Sequence, residues 1–430
     1  MGTLKVNSIQ DQSGNSYNTV VWQSVVTADG STNTNAVAGQ GYFIDTTSAS
    51  HTVVLPASPN FGDTIIIADY ASTFDTNNVT VDPGSNKIEA DTTDATLSTN
   101  DQTHTFVYTD STQGWKIVNQ DTATNIQSQL VSATGGTITT SGDYKVHTFT
   151  GDGCFVVSTA GDVDYLVVAG GGGGGNPPGY AGGGGAGGFR VSNQLGLPEA
   201  TTSPLANPTG IPVSVATYPV TVGGGGPASN TGNGSNSVFS TITAAGGGVG
   251  GTSAPCGSTA PGLPGGSGGG GMGNGGMGGY GNSPVVSPPQ GNPGGSGAPR
   301  PQPPAGSLGG GGGGAGDSGG NGTSTPTGPA GNGGTGSYVS PSFAVSCAGT
   351  PGPVPSVRYF AGGGGGGANS NACAVQGAGG AGGGGQGAPG GSGGTANTGG
   401  GGGGASHPAG SPNSGSAGGK GIVIIRYKFQ

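Results

Sequence analysis

The chain has 430 residues, of which 105 are glycine, about three times the usual share; only 7% are charged, 6% are aromatic, and the formal net charge is −9. So little apolar side chain per residue excludes a single large conventional core. Acidity without a Lys/Arg stripe excludes phosphate-backbone binding, and the apolar runs 166–169 and 422–425 are far too short to span a bilayer, so neither nucleic acid nor membrane insertion is expected.

Met1 to Tyr17 alternates apolar and polar residues through Leu4, Val6 and Ile9, turns at Ser13-Gly14-Asn15, and shows no apolar core of a secretory signal. Residues 1–19 are too short to fold alone and read as a docking segment. From Val20 to Val118 six β-branched or aromatic runs (41–44, 52–55, 64–68, 79–81, 105–108 and 115–118) are bounded by Gly, Pro, Asn or Asp. They predict a β-sandwich or barrel over residues 20–120. After a polar link at 120–129, further strands are expected at 137–139, 144–150, 154–158 and 164–169, and one more at 421–429. Strands thus flank the glycine-rich region on both sides. The economical reading is one base sheet, 121–169 plus 420–430, that carries residues 170–419 as an insertion. The fold class expected is mainly β with essentially no α-helix.

Of the 105 glycines, 14 lie in residues 1–165 and 91 in residues 166–430. They come in uninterrupted blocks, as at 170–175, 309–314, 362–367 and 399–404, so the strict triplet of collagen is absent. A flexible linker is the default for such composition. Against it stand the scarcity of charge and the bare amides of the blocks, whose best alternative to water is one another. A polyglycine II bundle answers both: a threefold helix rising about 3.1 Å per residue, with no internal hydrogen bonds, bonded sideways to neighbours that only glycine allows so close. Glycine-dominated stretches near 170–175, 182–188, 223–226, 246–251, 265–279, 309–316, 362–367 and 379–404 would be its helices, and the intervening segments its loops. Within them 191–222, with Leu205, Ile211, Val213, Val215 and Val220, reads as a β-excursion on the bundle flank.

Little here suggests catalysis. Glycoside hydrolysis needs two carboxylates, yet from 200 to 419 the only acid is Asp317; Glu89, Asp91 and Asp94 cluster in the N-terminal domain but read as solubilising turn residues. His51, His104, His147 and His407 are scattered, Cys154, Cys256, Cys347 and Cys373 lack metal-type spacing, and every glycine block trivially satisfies GxGxxG. No catalytic residue, metal or cofactor is expected. The cysteines read as idle thiols, with a Cys347–Cys373 bridge as the alternative in an oxidising compartment. Binding is the better expectation: Tyr180, Tyr218, Tyr280, Arg300, Tyr338, Arg358, Tyr359 and Phe360 fall in the segments between glycine blocks, where aromatics and Arg could anchor an interface. The competing reading is that they merely cover the bundle ends.

DYLVVAGGGGGG at 164–175, GGGGAGGF at 182–189 and GKGIVIIRYKF at 419–429 resemble the glycine-rich domains of bacteriophage tail fibres and tail-tip adhesins. MGTLKVNSIQDQSGN at 1–15 is similar to the opening segment of tail fibres from phages of marine cyanobacteria, and 62–81 and 106–118 resemble a β-domain of the same proteins. The resemblance implies a virion protein made in the host cytoplasm and acting outside the cell. It implies attachment to the phage tail or an adaptor through Leu4, Val6 and Ile9, homotrimers, and glycine-rich loops that meet a polysaccharide, lipopolysaccharide or outer-membrane protein. A non-binding virion decoration or whisker, and a cell-made glycine-rich filament, are the alternatives.

Overall fold

The computed structural model describes residues 9–10, 16–17, 20–118, 130–176, 179–196, 201–228, 232–252, 260–299, 308–325, 328–343, 348–368, 374–406 and 414–429. The chain forms two compact units, Met1–Gln129 and Leu130–Gln430, with no α-helix among the described residues.

In the first unit, β1 (Ile9–Gln10) and β2 (Ser16–Tyr17) pair as a hairpin. There follow β3 (Val21–Trp22), β4 (Val26–Thr27), β5 (Thr34–Asn35), β6 (Gln40–Asp45), β7 (His51–Val54) and β8 (Thr64–Asp69). The unit ends with β9 (Val79–Asp82), β10 (Ala95–Leu97), β11 (Thr103–Asp110) and β12 (Gly114–Ile117). Two open sheets result, β12-β11-β8-β6-β3 with β4 beside β6, and β10-β9-β7-β5. Their inner faces enclose Ile44, Ile65, Ile67, Phe106 and Trp115 from one sheet and Val53, Val79, Val81 and Leu97 from the other. Of the two expected architectures the sandwich is the one observed; neither sheet closes. Its winding is unexpected, because β4 to β9 alternate between the sheets and β6–β8 and β7–β9 pair in parallel. Chain length between strands accounts for this. Five residues separate β6 from β7 and nine separate β7 from β8, enough to cross from layer to layer, whereas three join β11 to β12 as an antiparallel hairpin.

The second unit opens with β13 (Ser132–Thr134), β14 (Thr137–Ser141), β15 (Tyr144–Phe149), β16 (Gly153–Thr159) and β17 (Gly161–Val168). Next come β18 (Phe189–Ser192), β19 (Ala206–Asn207), β20 (Ile211–Val213), β21 (Thr217–Thr221), β22 (Ser237–Phe239) and β23 (Ile242–Ala244). Last are β24 (Ser337–Val339), β25 (Arg358–Phe360) and β26 (Ile422–Lys428). The two strands that flank the glycine region are direct neighbours: β17 runs antiparallel to β26, from Asp164 opposite Arg426 to Val168 opposite Ile422. Beneath this sheet a second one, β13-β16-β21-β22-β23, packs Phe155, Val220 and Phe239 against Tyr165, Val167, Ile425 and Tyr427. Because β26 is covered on both faces, it opens on an apolar run, Ile422–Ile425, instead of alternating.

Asp164 is wholly buried and accepts hydrogen bonds from Ser192 Oγ (2.7 Å), Gln194 N (2.8 Å) and Leu195 N (3.1 Å), as well as the Arg426 guanidinium (2.9 Å). Arg426 in turn lies over the rings of Tyr144 and Phe343, 4.3 and 5.2 Å from their centroids. Segment 191–222 belongs to these sheets, not to the bundle flank: β20 pairs with β17, β21 with β16, and Ile211, Val213 and Val220 are buried in the base core. Only Val215 of its valines stands out, at 66% exposed.

Above the sheet the glycine segments form a threefold lattice. Within 181–188, Ala181, Gly184 and Gly187 donate to the carbonyls of Ala405, Gly402 and Gly399, and Gly182, Gly185 and Gly188 to those of Gly251, Gly248 and Ala245. Gly183 and Ala186 donate in the third direction, to Gly310 and Gly313, and all eight N···O distances are 2.7–3.0 Å. Its carbonyls accept from three other segments, through donors such as Gly172, Gly364 and Gly270. Six neighbours bonded at every third residue is the polyglycine II arrangement, and it satisfies backbone groups that no strand or α-helix ladder serves. An added Cβ at Gly184 would sit inside the carbonyl of Gly172, so even alanine is excluded there. Where the Cβ position faces side chains instead of a neighbour's backbone, alanine appears: Ala186, Ala315 and Ala361 join Leu166, Val168, Ile422 and Ile424 at the sheet end. At the far end Leu308, Ala330 and Ala368 pack with Tyr180 and Ala374.

Several expected loops contain lattice segments. Residues 292–298 bond to 314, 279, 311, 276 and 308, so the expected 280–308 loop contains a lattice segment. The same holds of 319–322 and 331–336 inside 317–361. A segment needs glycine only where a neighbour's backbone approaches, so helices mixed with Pro, Ser and Asn carry no block.

Candidate functional site

The aromatic and Arg candidates do not converge. Tyr338, Arg358, Tyr359 and Phe360 share the β24–β25 hairpin at the sheet end; Tyr338 and Tyr359 lie with ring centroids 5.3 Å apart. Tyr359 is 4% and Phe360 0% exposed, with Phe360 inside the core that seats the bundle. Arg358 is spent on the backbone, donating to the carbonyls of Ala348 and Gly349. Tyr218 lies on β21 against the base core, and its hydroxyl accepts from Ser214 N at 2.8 Å. Tyr180 packs into the far-end cluster, where burial raises its phenol pKa. Tyr359 and Phe360 are therefore packing residues, a correction to their reading as receptor contacts. Bulky rings are needed where the glycine lattice stops and a side-chain core must fill the gap. Arg300, Leu4 and Val6 lie outside the described residues, as do Cys256, Cys347, Cys373 and His407, while Ile9 stands opposite Tyr17 in the N-terminal hairpin.

Tyr280 alone of the described candidates is open to solvent, at 75%. Sequence reading missed its companions: Met277 (65% exposed), Val285 (86%) and Leu263 (46%). Met277 and Tyr280 are three residues apart, one turn of a threefold helix, and so share a face. Gly262 N bonds Met277 O and Gly265 N bonds Tyr280 O, which sets the 263-bearing segment alongside. The loop beyond is braced from inside. Asn282 Oδ1 accepts from Val286 N and Gln290 N, and the buried Gln290 accepts from Ala245 N and donates to Pro284 O. The outcome is a group of exposed, uncharged apolar side chains carried by backbone-packed segments. The i, i+3 spacing of Met277 and Tyr280 was the available signal.

Among the described residues no group of three or more His, Cys, Asp or Glu side chains is placed to hold a metal. Glu89 forms an ion pair with Lys116 and accepts from Ile117 N, and Asp91 accepts from Thr93 N, so these acids are engaged in local structure. His104 is fully buried with neither ring nitrogen bonded, and desolvation lowers its pKa to about 4. His147 is also lowered by burial; its Nδ1 is 2.7 Å from Gly135 O and its Nε2 3.0 Å from the Tyr427 hydroxyl. Cys154 is an exposed free thiol. No helix among the described residues is long and apolar enough to cross a membrane.

A family model for a glycine-rich domain matches residues 148–428, from the β15 strand of the base sheet through the lattice to the closing β26 strand. No curated protein matches the chain. The matched span begins and ends in the base sheet and encloses the whole polyglycine lattice, and the chain belongs to the glycine-rich domain family.

Proposed function

We propose that this protein is a bacteriophage tail fibre adhesin that acts by binding, not catalysis. Its first 19 residues attach to the phage tail or an adaptor, three copies assemble, and the glycine-rich domain meets a polysaccharide, lipopolysaccharide or outer-membrane protein on the host. The observation that carries the reading is the division of labour in the second unit. Most lattice glycines cannot accept a Cβ, whereas the exposed Leu263, Met277, Tyr280 and Val285 carry large side chains out to solvent. A rigid scaffold with freely variable surface segments is the arrangement that recognition sites favour. An exposed Tyr on rigid backbone binds at little entropy cost.

The test is adsorption blocking. Purified chain is preincubated with candidate hosts and challenged with phage; host-restricted binding and competition are expected. Absence of binding to every permissive host would overturn the adhesin reading in favour of a structural virion protein.

A further inference from the structure

A half-open groove of about 410 Å³ lies at the sheet end of the bundle. Thr137, Thr148 and Thr150 line it from the β14–β15 hairpin and its exit, Thr395 and Asn397 from a lattice turn, and Ile422 from β26. Ala348, Gly349, Ala396 and Thr398 complete the lining.

All three walls are pinned. Thr137 and Thr148 are cross-strand partners, and Thr148 is also held opposite Ile424. The 395–398 turn is closed by Thr398 Oγ1, which donates to Thr395 O at 2.7 Å and accepts from Gly400 N at 3.2 Å. The 348–349 wall is held by the Arg358 guanidinium through both carbonyls. Thr137, Thr150 and Thr395 are exposed and Thr148 and Asn397 half-buried, so five polar residues border one groove and face a ligand arriving from solvent.

The lining selects the ligand class. It holds no charged side chain, so it offers nothing to a phosphate, carboxylate or metal ion. An acyl chain or other purely apolar guest would strip water from five hydroxyl and amide groups and return nothing. No aromatic ring lines it to stack a base. A neutral polyol satisfies both kinds of surface: its hydroxyls pair with the Thr and Asn groups while its C–H face lies on Ile422 and the two alanines. Small-molecule sites occupy about 300–1,000 Å³, and the low end of that range suits one or two sugar rings.

We propose that this groove binds a neutral saccharide unit. Taken as the host contact, it deepens the adhesin reading by assigning recognition to the sheet end and to an uncharged glycan. The experiment titrates the full chain with glucose, galactose, mannose, N-acetylglucosamine and a neutral-oligosaccharide array, alongside sialic acid as an anionic probe. Thr148→Val with Thr150→Val keeps the β-branched shape and removes two hydroxyls; Ala396→Trp fills the groove from an exposed turn position. Saturable binding of a neutral saccharide is expected, weakened about ten-fold by the double variant and abolished by Ala396→Trp, with unchanged thermal midpoints. No saturable binding of any neutral probe, preference for sialic acid, or equal affinity in the variants would overturn the proposal. Host adsorption measured in parallel separates the two readings. Adsorption that survives in both variants removes the groove from recognition and leaves the adhesin; saccharide binding without adsorption to any host leaves the groove and removes the adhesin.

Discussion

The sandwich of the first unit and the lattice of the second bury their interiors by opposite means. In the sandwich the interior is side chain: Ile44, Ile65, Ile67, Phe106 and Trp115 are fully enclosed, and each such burial is worth about 1.5–3 kcal/mol. In the lattice the interior is backbone, held by hydrogen bonds worth about 0.5–1.5 kcal/mol each and offset by the large conformational entropy that glycine surrenders. The sandwich can therefore exchange one apolar residue for another at modest cost. The lattice cannot accept a single carbon atom where a neighbouring segment's carbonyl closes on the glycine, as at Gly184.

The sharpest way to break this contrast is to put a branched side chain into the lattice. Gly311→Val or Gly364→Val would drive a Cβ into the carbonyl of Asn332 or Gly402, and the expected result is loss of protease resistance across the second unit. Both tryptophans of the chain, Trp22 and Trp115, lie in the first unit, so their fluorescence reports that unit alone. A normal tryptophan transition beside a protease-sensitive second unit is expected; full protease resistance would refute the lattice account. Next in size is Arg426→Met, which strands the buried Asp164 carboxylate and should cost about 3–5 kcal/mol in thermal unfolding.

A pH experiment probes the sandwich in turn. His104 has its folded pKa lowered to about 4 against about 6.5 when unfolded. At pH 7 both states are neutral and the group contributes no difference. As pH falls below about 6.5 the unfolded chain takes up a proton that the folded chain refuses, so stability declines down to about pH 4, by about 3 kcal/mol in all. His51, also lowered by burial, acts in the same direction. Tryptophan-monitored unfolding at pH 7 and pH 4.5 should show the decline, and His104→Phe should reduce it. Smaller again is Ile65→Val, expected to cost about 0.5–1.5 kcal/mol by the same readout. The smallest effect is expected at Gly224, where an added Cβ meets nothing within 4 Å. Gly224→Ala should leave thermal stability within about 0.5 kcal/mol, and a large loss there would show that lattice glycines are required for more than close approach.

The strands were legible because their β-branched runs stop at Gly, Pro, Asn and Asp, and the run 421–429 fell on β26 almost residue for residue. The parallel winding of β6 with β8 was not, since a β-branched run reads the same whichever direction its neighbour takes. Of the candidate binding residues, Tyr280 was legible and exposed, whereas Phe360 is of the same residue type class and wholly enclosed. Residue type states what a ring can do at a surface, not whether it reaches one. The threonine groove was illegible for a plainer reason: Thr148 and Thr395 come together only because β15 lies beside β26 and the lattice returns to that sheet.

Glycine blocks without charge, enclosed between two apolar strands, suffice on their own to imply backbone-to-backbone packing carried by a sheet, because no other partner is available to so many bare amides. Which residues could depart from glycine is a tertiary matter. Ala186 and Gly184 sit two residues apart in one segment, and alanine is allowed at the first because its Cβ meets the side chains of the base core, while a Cβ at the second would meet the carbonyl of Gly172. Each lattice position is decided by a neighbour distant in sequence, and only the folded arrangement says which neighbour that is.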